Sequence, residues 1–371
     1  MSARKYWIGF NHVAGIGPLR MQMLRQHFNT LEAAWHADAQ ALREAGLDRR
    51  TINNLQEARR RLDLDALQQR ISELGAAALT LEEADYPSVL KELPDAPPLL
   101  YVHGSLTTAD DWAVAIVGTR KASTYGRDMA YQLAGELANA GITVVSGLAL
   151  GIDAAAHRGA LDAGGRTVAV LPCGIDIVYP PEHRKLAREI ADHGALLTEF
   201  PPGTPPEARN FPPRNRIISG LSLGVIVVEA PLKSGALLTA DLAAEQGREV
   251  FAIPGKTTAA TSQGTNRLIQ DGAKLVISID DVLEELNLTR GTAQTRDEVQ
   301  TIIPEDEEER LILQYLSDEP MHIDELCRES GLPIARLSSM LTLMELKGMV
   351  RQTGSMQYTL ARGPKAPYTL D

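Results

Sequence analysis

Several things are scarce in this sequence. Two cysteines, Cys173 and Cys327, stand far apart in 371 residues, too few for a disulfide framework or a thiolate metal site, and in keeping with a reducing cytoplasmic setting. No run of about eighteen apolar residues suggests a membrane span, and the opening MSARKYWIGF lacks the continuous apolar core of a signal peptide. Aromatic residues are 5% of the chain, with five Phe and three Trp, so platforms for stacked bases are few. Positive charge is in deficit as well. A net charge of −11 argues against a protein that coats nucleic acid with its whole surface, while leaving room for a local basic groove.

What the chain has is apolar mass, 44% of its residues, enough for two or three domains. It is organised around WAVAIVGTRKASTYGRDMAYQLAGELANAGITVVSGLALGID, residues 112–153. Buried strands are expected at Ala113 to Val117 and Ile142 to Val145. Between them runs a helix with apolar positions at Met129, Leu133 and Leu137. A β-α-β unit of this length is parallel and right-handed, which sets its two strand ends side by side. Gly118-Thr119-Arg120 follows the first strand, and Ser146-Gly147-Leu148-Ala149-Leu150-Gly151-Ile152-Asp153 follows the second. Small residues ahead of helices leave backbone N–H groups free for an anion, phosphate above all, at the carboxyl edge where such sheets take ligands. The alternative is that these glycines serve only tight turns. Arg120 favours phosphate, because a cation just past a glycine turn suits an anion better than a core.

Residues 1–72 read as a helical domain, with Leu19, Met23, Leu24 and Phe28 as one apolar stripe. The turn Gly15-Ile16-Gly17 resembles that of helix-hairpin-helix modules, with a second copy at Glu44 to Arg50. Eleven cationic against seven anionic residues over 1–70 fit phosphate binding, and a packing domain with glycine caps fits equally. Strands and helices alternate over 73–290. TVAVLP from Thr167, Leu196 to Glu199, GVIVVE from Gly224, EVFAI from Glu249 and Leu275 to Ile277 are strand candidates, apolar on consecutive positions as in strands buried on both faces. The expected fold class is α/β, a Rossmann-like doubly wound, mostly parallel sheet. Residues 291–304 read as a linker, and residues 305–362 as three helices and a hairpin turning at Thr353-Gly354-Ser355, a winged helix, before a tail at 363–371. That last module carries eleven acids and six bases, with Arg336 and Lys347 on its presumed recognition helix. The balance is poor for DNA and favours protein contacts.

Cations recur beyond successive strands of the sheet: Arg120, Arg184, Lys185, Arg214, Arg216, Lys233, Lys256 and Arg267. An acidic chain that gathers cations at one sheet edge builds a polyanion groove there. Gly255-Lys256-Thr257 looks like the tail of a P-loop, but Val250 stands where that pattern needs glycine. His157 has no nucleophile or carboxylate fixed beside it by spacing and reads as a helix-start histidine bonded to backbone; Asp153 reads as a cap of its helix. Glu199 and Glu229 both end strands. As a carboxylate pair they would suit a nucleotide N-glycosidase, the enzymatic alternative.

The order and spacing of AIVGTRKAS, SGLALGIDAAAHRGAL, YPPEHRKLA, FPPRNRIISGLS, SGALLTADLAAEQGREVFAIPG and GTNRLIQDGA resemble the DprA/Smf family of bacterial DNA-processing proteins. The likeness is close over residues 80–280, and the helical and winged-helix modules also fit. The resemblance implies a non-enzymatic homodimer without cofactor or metal, which binds single-stranded DNA in its Rossmann-like domain and loads the RecA recombinase during natural transformation. Gly118, Thr119 and Arg120 match the family's Gly-Ser-Arg phosphate motif, with threonine for serine. Arg214, Asn215 and Arg216 match its Arg-Asn-Arg, with Pro213 where many members have another arginine. The basic residue after Tyr-Pro is Arg184 or Lys185. The full candidate set adds Ser146, Gly147, Gly151, Asp153, Lys233, Gly235, Lys256 and Asn266. Tyr125, Tyr179 and Phe211 are the candidates for stacking.

Overall fold

The computed structural model describes residues 3–288, 307–316, 321–346, 350–354 and 356–360. The chain forms two compact units, Met1–Gly291 and Thr292–Asp371. In the first, nine strands make one sheet: β1 (Ala76–Thr80), β2 (Leu99–Gly104), β3 (Ala113–Val117), β4 (Thr143–Ser146), β5 (Thr167–Val170), β6 (Ala195–Thr198), β7 (Gly224–Val227), β8 (Glu249–Ala252) and β9 (Lys274–Leu275). Their order is β1-β2-β6-β5-β4-β3-β7-β8-β9. The seven from β6 to β9 run parallel, and the β1-β2 hairpin joins β6 antiparallel. This is the expected doubly wound sheet, with strand limits shifted by a residue or two.

Alternate residues of β3 explain its unbroken apolar run. Val114 and Ile116 pack with Leu133, Leu137 and Ile152 on one face. Ala113, Ala115 and Val117 pack with Ile217, Ile218 and Ala240 on the other. Helices Thr124–Asn139 and Ile152–Asp162 therefore cover one side, and Phe211–Gly220 and Gly235–Glu245 the other. A parallel strand covered on both faces has no position left for a polar side chain.

Six helices precede the sheet, from Arg4–Asn11 to Leu64–Glu73. Their core is continuous with one end of the sheet: Tyr6, Phe10 and Trp35 share a cluster with Leu99, Tyr101 and Leu196. Helix gives way to strand between Glu73 and Ala76, just past the expected boundary at 72, without a break in packing. The expected stripe on Pro18–Phe28 is rotated. Met21 and Leu24 are buried while Leu19 is 65% exposed, because Pro18 opens the helix and leaves Leu19 in a first turn that faces outward. The two glycine turns meet. Gly15 and Gly46 both have left-handed backbone, with φ of 93° and 94°, and Arg20 bonds the Gly15 carbonyl and the Asp48 carboxylate at 2.8 and 2.6 Å.

The second unit holds helices Glu307–Tyr315, Ile323–Ser330 and Ile334–Leu346, and strands β10 (Met321–His322), β11 (Val350–Gly354) and β12 (Gln357–Leu360) in the order β10-β12-β11. This is a winged helix, with one short strand beyond the expected hairpin. Ile312, Leu326, Leu337, Leu341 and Tyr358 form its core. The expected linker, the tail and Lys347 lie outside the described residues.

Candidate nucleic-acid interface

The carboxyl edge of the sheet collects the chemistry. Reading across it, Arg184 and Lys185 follow β5, the glycine loop 147–151 follows β4, Arg120 follows β3, Lys233 follows β7 and Lys256 follows β8. These five cations are exposed. From β5 to β8 there are four strand spacings, about 19 Å, so the loops that carry the cations are spread along the edge. Lys185 contacts Glu189 at 3.5 Å with 91% of its side chain exposed, a pairing too weak to withhold it from a phosphate.

A small pocket opens among the loops after β3, β4 and β5, walled by Arg120, Gly147, Leu150, Tyr179 and Phe211. The Arg120 guanidinium lies 4.7 Å from the centre of the Phe211 ring, and Arg214 faces the same ring at 5.6 Å. Tyr179 meets Phe211 edge to face at 6.2 Å. Tyr125, 51% exposed, lies apart from this pair, its hydroxyl 3.4 Å from the Pro254 carbonyl. Beside the pocket, two turns abut. A Cβ on Gly151, whose φ is 83°, would lie 2.4 Å from the Thr119 carbonyl oxygen, so only glycine lets the loops after β3 and β4 come this close.

Other expected site residues face inward. Arg214 is 4% exposed, and its Nη1 lies 1.4 Å from where a Cβ on Gly147 would stand. Its charge backs the pocket from below the chain. Burial lowers its pKa to about 10, still cationic at neutral pH. Asp153 is buried near it, and the carboxylate accepts the amides of Gly147 and Ala149 at 3.2 and 3.3 Å. Those two amides, expected to seat a phosphate, therefore serve Asp153 instead, and Asp153 holds the preceding loop rather than capping its own helix. Burial raises the Asp153 pKa, and Arg214 opposes the rise.

Arg216, expected beside DNA, is turned to the protein. It pairs with Glu199 and donates to the Asp95 carbonyl at 2.8 Å. The Glu199 carbonyl accepts from Asn11 at 3.2 Å, and Asn11 accepts from the Tyr101 hydroxyl at 2.9 Å, so this network ties the first helix to the end of β6. Burial pushes Glu199 up to about 7, with Arg216 opposing. Asn215 is buried and donates to the Gly235 carbonyl at 3.4 Å. Asn266 grips Gly255 with both amide atoms, at 3.1 and 2.9 Å, and Ser146 bonds the Ile116 carbonyl at 2.6 Å. These side chains shape the edge and do not face outward from it.

The carboxylate pair required for a glycosidase is not assembled. Glu199 ends β6 and Glu229 follows β7, four strand spacings apart, or about 19 Å, and each is bonded in its own network. His157 is likewise not a helix-start residue bonded to backbone. It is buried in mid-helix with Nδ1 2.7 Å from Thr167 Oγ1. Thr167 gives its hydroxyl hydrogen to the Val144 carbonyl, so Nδ1 carries the proton, and Nε2 has no partner. Burial holds its pKa down at about 3, and pushes Cys173 up to about 12, so neither is charged at neutral pH. Among the described residues no three His, Cys, Asp or Glu gather as a metal site, and no helix is long and apolar enough to cross a membrane.

Comparison with known proteins gives the family. Residues 77–287 match the family model of DNA recombination-mediator protein A, and residues 296–355 that of the DprA winged helix domain. The chain is 36% identical to protein Smf of Synechocystis over 96% of its length and 98% of the relative's. It is 44% identical to the DNA processing protein DprA of Bacillus subtilis over 58% and 72%. The crystal structure of DprA from Streptococcus pneumoniae superposes with a TM-score of 0.67 at 36% identity, covering 76% of this chain and 97% of that one. DprA from Helicobacter pylori, whose structure was determined for its single-stranded DNA binding mode, gives 0.52 at 34% identity over 57% and 95%. Family models, relatives and superposed structures place this chain in the DprA/Smf family of DNA-processing proteins.

Proposed function

We propose that the protein binds single-stranded DNA along the carboxyl edge of its sheet and acts as a recombination mediator, protecting incoming DNA and loading the RecA recombinase during natural transformation in the cytoplasm. The observation that carries this reading is Arg120, an exposed guanidinium between two glycine turns and stacked on Phe211. The single-stranded DNA binding of the Helicobacter relative and the family membership support it. Backbone phosphates are held by Arg120 and by the exposed Arg184, Lys185, Lys233 and Lys256. Bases lie against Phe211 and Tyr179 without hydrogen-bond readout, so recognition tolerates any sequence. One edge engages few phosphates, and a homodimer gains affinity by presenting two. RecA as the partner rests on the family alone.

The test is fluorescence anisotropy of labelled oligo-dT at several salt concentrations, beside duplex of equal length. Log affinity is expected to fall linearly with log salt by about 0.7 per phosphate contact. Arg120→Ala is expected to bind at least about tenfold more weakly, the worth of a charge-assisted hydrogen bond, with an unchanged melting temperature. Wild-type affinity in a folded Arg120→Ala protein would move the site elsewhere.

A further inference from the structure

In doubly wound sheets the helix after the central strand offers its N-terminus to a ligand's phosphate. Here that position is filled from within. Glu229, two residues beyond β7 and 3% exposed, reaches across to the start of helix Thr124–Asn139. Its Oε2 accepts the Ser123 amide at 2.8 Å, and its Oε1 accepts the hydroxyls of Ser123 at 2.6 Å and Thr261 at 3.3 Å. The Ser123 oxygen in turn caps the helix by accepting the Gly126 amide at 3.1 Å. The fit is close, since a Cβ on Gly126 would stand 2.3 Å from the carboxylate. The Glu229 backbone takes part too, its carbonyl accepting the Thr119 amide at 2.7 Å. One residue thus holds both ends of the segment 119–123, and Arg120 lies between them.

We propose that Glu229 is a positioning and specificity-determining residue. Its carboxylate occupies the helix N-terminus in place of a free nucleotide's phosphate, and its grip on Thr119 and Ser123 delivers Arg120 to the outer edge, where only a strand lying across the sheet meets it. A carboxylate at a helix N-terminus is electrostatically favoured as a phosphate is, so the device is stable without ligand. It also leaves a mononucleotide no neutral helix end to occupy. This inference rests on the single-stranded DNA reading for its binding arm and has a second arm that does not.

The variant is Glu229→Gln in the full chain, which keeps shape but sets an amide NH2 against donors, with Ser123→Ala as a milder companion that keeps the backbone donor. Oligo-dT affinity is measured as a cycle with Arg120→Ala. Glu229→Gln is expected to lose about tenfold and to flatten the salt dependence by about one phosphate contact, 0.7 in slope. In the Arg120→Ala background it should cost nothing further, whereas a residue with only a general structural role would lower both backgrounds equally. Hydrogen exchange without DNA is the second arm: Glu229→Gln should speed exchange over 119–126 and leave the more distant helix 211–220 unchanged. Full additivity with Arg120→Ala, wild-type binding by Glu229→Gln, or unaltered exchange over 119–126 overturns the proposal. A wild-type protein that binds no oligo-dT overturns the proposed function instead, and the exchange result then decides the role of Glu229.

Discussion

Arg120 and Arg216 both read from the sequence as groove cations, and the fold puts them in opposite environments. Arg120 is exposed on a turn, whereas Arg216 is 8% exposed and neutralises the buried Glu199. Removing one partner of such a pair strands the other charge in a low-dielectric interior. Arg216→Ala is expected to cost about 3 to 5 kcal/mol of stability, read as a lower denaturant midpoint, where Arg120→Ala costs none. His157 makes a prediction of a different kind. Its folded pKa of about 3 lies below the ordinary 6.5, so below pH 6.5 the unfolded chain takes up a proton that the folded one refuses. Stability contributed by the neutral ring is complete above pH 6.5 and is lost as pH falls toward 3, by about 1.4 kcal/mol per unit. Urea titrations of wild type and His157→Gln between pH 7 and 4 should show a shallower acid decline in the variant, whatever its stability at pH 7. Equal slopes would mean that His157 is not buried as a neutral ring.

At the scale of elements, the edge is made by loops that touch one another. Gly147 lies over the Arg214 guanidinium, and Gly151 over the Thr119 carbonyl. Gly147→Ala must displace Arg214 or lift the loop after β4, and Gly151→Ala adds the strain of a positive φ. Each is expected to destabilise by about 1 to 3 kcal/mol and to weaken single-strand binding, whereas Gly164→Ala, with open space around its φ of 74°, carries backbone strain alone and should leave binding intact. Thermal melts beside oligo-dT anisotropy check both. Glycines were legible as a pattern after each strand. Their reasons were not, because close approach between two loops is set by which strands are neighbours.

For the whole molecule, an acidic chain with five exposed cations along one sheet edge is expected to discriminate by geometry. Duplex is the denser polyanion, but only a flexible single strand can follow the edge while laying bases on Phe211 and Tyr179. Single-strand affinity should therefore exceed duplex affinity in the same salt, and equal affinities would leave charge alone as the attraction. The second unit has an excess of acids, eleven against six over 305–362, a balance poor for DNA.

Much of this was decided by the chain itself. Runs of Val, Ile and Ala bounded by glycine turns dictate a parallel sheet covered on both faces, because such strands have no polar face to show to water. The same alternation sets each strand's carboxyl end at one edge and so brings Arg120, Lys185, Lys233 and Lys256 to it. What only the tertiary structure decided is which polar residues on that edge face out. Asp153, Arg214, Arg216 and Glu229 are as hydrophilic in sequence as Arg120, yet all four are buried. Their burial depends on partners brought from distant positions, Asp95 and Glu199 for Arg216 and Ser123 and Thr261 for Glu229. A charged side chain enters an interior only where complementary groups already wait, and local sequence does not record that pairing.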